Sequence, residues 1–138
     1  MSRKKEKTAR LRRICVAGGR DFDNFPALVA ALEARLARAQ TPVVIVSGGA
    51  RGADALGARF AQEHNLALEV HSADWAIYGR GAGCVRNKEM AQVADELLVF
   101  WDGRSRGTAH MIRQMQKLDK PVLVFDYRGQ SCPAPFMS

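Results

Sequence analysis

Cysteine is scarce in this 138-residue chain, with three in all: Cys15, Cys84 and Cys132. Their odd number and irregular spacing exclude a disulfide framework and a cysteine-rich zinc site. The three histidines, His64, His71 and His110, are scattered, so no His/Cys/carboxylate cluster marks a metal site. No apolar run approaches the ~18–20 residues of a membrane span. The charged N-terminus is not followed by the apolar stretch a signal peptide needs. The expectation is a soluble, cytoplasmic protein with no membrane contact. Two phosphate-binding signatures are also missing. Without G-x-x-x-x-G-K-[ST] a P-loop NTPase is excluded, and without G-x-G-x-x-G after the first apolar run so is an ordinary dinucleotide dehydrogenase.

Charge is present, but unevenly. The formal net charge is +7. Residues 1–13 hold seven basic side chains (Arg3, Lys4, Lys5, Lys7, Arg10, Arg12 and Arg13) against Glu6, a net of +6. The remaining 125 residues carry 14 basic and 13 acidic groups, a net of +1. The basic character belongs mainly to the tail. Residues 1–12 read as a basic, disordered extension, and residues 1–13 offer a weak electrostatic contact to nucleic acid.

The length and the 47% hydrophobic content fit one domain with one core. Short apolar runs alternate with amphipathic stretches from residue 13 onward. The runs are Ile14–Ala17, Val43–Val46, Leu66–Val70, Leu97–Trp101 and Val122–Phe125, each read as a strand. Helical spacing joins Phe25, Leu28, Val29, Leu32 and Leu36, with Asn24 as cap and Pro26 in the first turn. Further helices are predicted over about 52–64 and 84–93, and a last one turns Met111, Ile112, Met115 and Leu118 inward. Residues 72–83 read as the longest irregular stretch, and 129–138 as a loose C-terminal arm. Strict β-α alternation predicts a three-layer Rossmann-like α/β domain over 13–128. Its sheet is expected to have five parallel strands in the order 3-2-1-4-5, with the polar third strand at an edge.

Ligands of such folds bind beyond the carboxyl ends of the strands. The segments reaching that edge carry Gly18, Gly19 and Arg20; then Ser47, Gly48, Gly49, Arg51, Gly52 and Asp54; then Trp75, Arg86 and Asn87; then Gly103, Arg104, Gly107 and Thr108. Glycine lets backbone N–H groups approach an anion, helix starts add a positive end, and arginine adds paired donors. Four loops with one chemistry at one edge predict a phosphate site. Asp54 reads equally as a helix-dipole partner or a ligand contact. Trp75 and Tyr78 read as packing under their loop or as a stacking surface for a base.

The run Val46-Ser47-Gly48-Gly49-Ala50-Arg51-Gly52-Ala53-Asp54 is followed by Ala73-Asp74-Trp75, Tyr78-Gly79, Ala82-Gly83, Arg86-Asn87-Lys88-Glu89-Met90 and Gly107-Thr108-Ala109. This set resembles the YspA-type, cpYpsA-related branch (DUF2493) of the SLOG superfamily of Rossmann-like proteins, over about residues 13–126. The resemblance implies a nucleotide, ADP-ribose or NAD-derived ligand, and relatives that include the LOG phosphoribohydrolases and DprA. The LOG pattern has a Pro-Gly-Gly-x-Gly-Thr turn followed by a glutamate. Here Asp102-Gly103-Arg104-Ser105-Arg106-Gly107-Thr108 stands at that turn, with His110 and Met111 where the glutamate would be. Asp74 and Glu89, or Asp21, are the remaining candidates for a general acid or base.

The expected function is binding of a phosphate-bearing nucleotide by a sensor or regulatory module, with no further cofactor required. N-glycosidic hydrolysis of a nucleotide is the first alternative, and DprA-like nucleic-acid binding aided by the tail is the second. Met- and Ala-bearing helix faces fit a homodimer and a buried core equally well.

Overall fold

The central apolar runs become strands buried on both faces by flanking helices, while the outer ones are covered only in part. A computed structural model describes residues 11–136. In chain order the elements are β1 (Arg12–Gly18), α1 (Phe25–Leu36), β2 (Val43–Ser47), α2 (Ala53–Glu63), β3 (Ala67–Val70), α3 (Trp75–Tyr78), a 3₁₀ turn (Gly79–Gly81), α4 (Ala82–Val93), β4 (Glu96–Phe100), α5 (Arg106–Lys117), β5 (Val122–Phe125) and β6 (Ser131–Cys132). The sheet has six strands in the order β3-β2-β1-β4-β5-β6. The first five are parallel, and β6 runs antiparallel to β5, pairing Cys132 with Val124.

Alternating side chains of the central strands feed two cores. Ile14, Val16, Ile45, Leu98 and Phe100 pack with Leu28, Leu32 and Phe60 of α1 and α2. Cys15, Ala17, Val46, Leu97 and Val99 pack with Met90, Met111, Ile112 and Met115 of α4 and α5. Residues buried on both strand faces explain why the runs read as continuously apolar. The more polar β3 lies at the sheet edge, as its sequence predicts. Asn24 caps α1, its side-chain oxygen accepting from Ala27 N at 3.2 Å.

Four local expectations change. A sixth strand forms inside the supposed arm, because Asp126 Oδ1 accepts from Arg128 N and Gln130 N, both at 2.9 Å, and folds a hairpin turn after β5. The supposed irregular stretch at 72–83 contains α3 and the 3₁₀ turn, started by Asp74 Oδ1 accepting from Ile77 N. Leu118 is 46% exposed, since α5 ends at Lys117 and Leu118 swings off its inner face. Arg12 and Arg13 belong to β1 rather than to a free basic tail, and both are ion-paired. The remainder of that tail, residues 1–10, lies outside the described residues. Among the described residues no helix is long and apolar enough to cross a membrane.

Candidate ligand-binding site

The loops after β1, β2 and β4 and the first turns of α2, α4 and α5 meet at the carboxyl edge around a cavity of about 520 Å³. Gly18, Gly19, Arg20, Arg51, Asp54, Arg86, Asn87, Gly107 and Thr108 line it. A second cavity of about 420 Å³ adjoins, lined by Gly48, Gly49, Ser72 and Trp75. Arg20, Ala50, Arg51 and Arg86 line both cavities. A smaller depression beside them holds Asp74 and Glu89 and shares Arg86. Ser47, Gly52, Gly103 and Arg104 line none of the three.

Local folding explains each placement. Gly52 has φ +77°, and a Cβ there would collide with the Gly19 carbonyl oxygen and the Arg20 backbone. Only glycine lets the start of α2 lie against the first loop, where Ala53 N donates to Gly19 O at 3.2 Å. Ser47 is buried and spends its hydroxyl inside the second loop, donating to Asp54 O at 2.9 Å and accepting from Gly49 N at 3.2 Å. Gly48 separates two charged groups: a Cβ there would lie 2.6 Å from Asp54 Oδ2 and 2.9 Å from Arg86 Cδ.

Arg86 is aimed by neutral partners. Its Nη1 donates to Gly48 O at 3.0 Å and its Nε donates to Asn87 Oδ1 at 3.3 Å. Asn87 is buried and ties α4 to α5, with Nδ2 donating to Gly107 O at 3.2 Å and lying 3.2 Å from His110 Nδ1. Burial and the nearby Lys88, Lys117 and Arg113 hold His110 below its ordinary pKa, which suits an accepting Nδ1. Among the described residues Arg20, Arg51 and Arg86 are ion-paired with no carboxylate.

The start of α5 is also organised toward the cavity. Ser105 caps it, accepting from Thr108 N at 3.4 Å and from Thr108 Oγ1 at 3.0 Å. Asp102 Oδ1 accepts from Arg104 N and Ser105 N at 2.8 Å each, which bends the loop and leaves Gly103 and Arg104 outside. Ser105 and Gly107 therefore face the cavity at the positive end of a twelve-residue helix.

Two carboxylates line the main cavity. Asp21 is held by Tyr127, whose hydroxyl donates to Oδ1 at 2.5 Å. Asp54 is 5% exposed, in the first turn of α2. Burial pushes it up to about 6, against the lowering influence of Arg86, the Ala50 N–H and Arg20. Asp74 serves as the cap of α3, and Glu89 is exposed beside it in the separate depression. Trp75 does not pack under its loop: it is 54% exposed and walls the second cavity.

Two contributors are not among the residues singled out from the sequence. Ser105 sits within the fourth loop and has the spacing of a helix cap before Thr108. Tyr127 lies 106 positions from Asp21 and offers no local signal.

The model of the family described as "YspA, cpYpsA-related SLOG family" matches residues 12–78. Gene 61 protein of Mycobacterium phage D29 is 40% identical, the match covering 83% of this chain and 97% of the phage protein. Among solved structures, DNA processing protein A from Helicobacter pylori, described for its single-stranded DNA binding mode, superposes with a TM-score of 0.65 at 20% identity, covering 87% of this chain and 67% of that one. DprA from Streptococcus pneumoniae gives a TM-score of 0.64 at 15% identity, covering 87% of this chain and 52% of that one. At those identities the likeness is one of fold, and this chain spans about half of the streptococcal protein. The loop motifs, the six-stranded α/β fold and the phage relative together place the chain in the YspA, cpYpsA-related SLOG family.

Proposed function

We propose that the chain binds a phosphate-bearing nucleotide, or an ADP-ribose- or NAD-derived ligand, along its carboxyl edge and acts as a sensor or regulatory module. One observation carries the reading: Arg20, Arg51 and Arg86 line the wall common to two adjoining cavities and have no carboxylate partner among the described residues. Arg86 is held in place by Gly48 O and Asn87 Oδ1, the exposed Arg20 and Arg51 keep their donors free, and phosphate matches the fork of donors that all three offer. The start of α5 supplies a helix end suited to the same group. A base would extend into the second cavity, against Trp75. Calorimetric titration with inorganic pyrophosphate, nucleoside diphosphates and ADP-ribose tests this. Micromolar binding that falls about 100-fold in Arg86→Ala is expected, since a charge-assisted bidentate contact contributes about 2–3 kcal/mol. Absence of heat across the panel overturns it.

Hydrolysis has weaker support, because Asp74 is engaged as a helix cap and Glu89 lies in the side depression. A DprA-like role in nucleic-acid binding is favoured by a specific observation. Trp75, Ile77 and Tyr78 are 54%, 71% and 49% exposed on α3, beside the arginine-lined cavities. Exposed aromatics next to cations are how single strands are commonly held. A salt series with single-stranded oligonucleotides, set against the same series with ADP, separates the two readings. Oligonucleotide affinity that exceeds ADP affinity and is lost in Trp75→Ala would favour the second.

A further inference from the structure

The cavity built of arginines and a helix end contains one feature that an anion site does not need. Asp54 lines it while being 5% exposed. Its Oδ2 accepts from Ala50 N at a long 3.4 Å, and Oδ1 has no partner among the described residues. Among those residues every sealed side-chain nitrogen or oxygen has a hydrogen-bond partner, so Oδ1 opens onto the cavity rather than into the core. Arg86 and Arg20 lie close enough to favour its charge, yet neither is ion-paired with it. The other carboxylate of the cavity, Asp21, already has the Tyr127 hydroxyl.

A phosphate oxygen placed against Asp54 would set acceptor against acceptor and like charge against like charge. The part of the ligand that meets Asp54 must therefore donate. In a nucleotide the donor bonded nearest the phosphate is the sugar, whose hydroxyls lie between phosphate and base. Asp54 lines the main cavity, and Ala50, whose N–H it accepts, belongs to the wall shared with the Trp75 cavity, so a ligand running from the helix end to Trp75 passes beside it. We infer that Asp54 receives a ribose hydroxyl, so that the site takes ribonucleotides in preference to deoxyribonucleotides. The inference rests on the nucleotide reading above and names the sugar that reading leaves open. Burial raises the pKa of Asp54, and the single backbone N–H it accepts from and the nearby arginines do not reverse this.

The test is calorimetric titration of the full chain with ADP, 2′-deoxy-ADP, 3′-deoxy-ADP and inorganic pyrophosphate. At least one deoxy analogue should bind about tenfold or more weakly than ADP, the effect of losing a hydrogen bond to a charged group. In Asp54→Asn, Oδ1 of the amide can keep the Ala50 contact while its NH₂ replaces the free acceptor, and the preference should shrink to within about threefold. Both analogues matching ADP, while pyrophosphate still binds, overturns the ribose assignment and leaves the phosphate site standing. Failure of both ADP and pyrophosphate to bind overturns the two readings together. The comparison of ligands on the unaltered protein needs no variant to fold.

Discussion

At the amino edge of the sheet, Arg12 and Arg35 converge on Glu96 at 2.8 and 2.6 Å, and from the start of β1 Arg13 reaches across to Glu69 of the outer strand β3 at 3.0 Å. At the carboxyl edge, Arg20, Arg51 and Arg86 surround a cavity, and the buried Asp54 among them is not ion-paired. The same residue types serve different ends. Paired charges at one edge tie β1, β4 and α1 together, while at the other the buried, unpaired Asp54 costs stability and the arginines keep interaction capacity in reserve. The two carboxylates record this. Burial would raise Glu96, but hydrogen bonds from Arg35 and Arg12 hold it below the ordinary value. Burial does raise Asp54, and Arg86, Ala50 N–H and Arg20 do not reverse it.

Glu96→Ala should produce the largest change in stability. It leaves two arginines facing a vacated pocket, which for a buried pair costs about 3–5 kcal/mol. Both arginine side chains keep some solvent access, 36% and 20%, so about 3 kcal/mol is expected. Urea unfolding at neutral pH should show the midpoint fall. Because the folded-state pKa of Glu96 is depressed, the stabilisation is present above the ordinary glutamate range and fades as pH drops through the folded value. The gap between the variant and the parent protein should narrow in acid.

Asp54→Asn should act in the opposite direction. The folded-state pKa is raised from 3.8 to about 6, so between those values the folded chain keeps a proton that the unfolded chain has released. Stability therefore falls as pH rises through that window, and above about 6 the full cost of the buried charge is present. Converted directly, that displacement is about 3 kcal/mol, an upper bound on what the amide recovers at pH above the window. Unfolding midpoints should rise for Asp54→Asn at alkaline pH and match the parent protein in acid. A variant less stable than the parent at every pH would end the claim that this edge sacrifices stability for binding.

The contrast between the edges was only half legible in the sequence. Ile14–Ala17 and Leu97–Phe100 announced buried strands because residues covered on both faces must be apolar throughout. The glycine and arginine loops announced the carboxyl edge, since chain order alone delivers them there. Arg12 and Arg13 were miscounted as tail because their partners, Glu96 and Glu69, lie 84 and 56 positions away. A charge count along the chain cannot see such pairs. β6 has two residues and no periodicity, and it exists because the Asp126 turn returns the chain to β5. Asp54 had the right address, but its burial and its open oxygen are tertiary facts.

Tyr127 makes the smallest and most local test, because it joins the C-terminal hairpin to the first ligand loop. Its ring packs edge-on against Phe22, with centroids 5.1 Å apart, and Phe22 stacks on Phe100 at the end of β4. Burial, then the hydrogen bond and charge of Asp21, raise the Tyr127 pKa, so the hydroxyl remains a donor at physiological pH. Tyr127→Phe keeps the ring and removes only that donor, for a stability loss of about 1 kcal/mol. Asp21 would then present an uncompensated carboxylate to the cavity, and like-charge repulsion should weaken pyrophosphate binding by a few fold. A matching experiment with Asp21→Asn reverses the sign of that second effect: the repelling charge is gone, and affinity should hold or rise. If Tyr127→Phe and Asp21→Asn weaken pyrophosphate binding equally, the Tyr127–Asp21 hydrogen bond acts by holding the loop in place and not by masking charge. If only the first does, Tyr127 masks a negative charge at an edge whose arginines stand unpaired among the described residues.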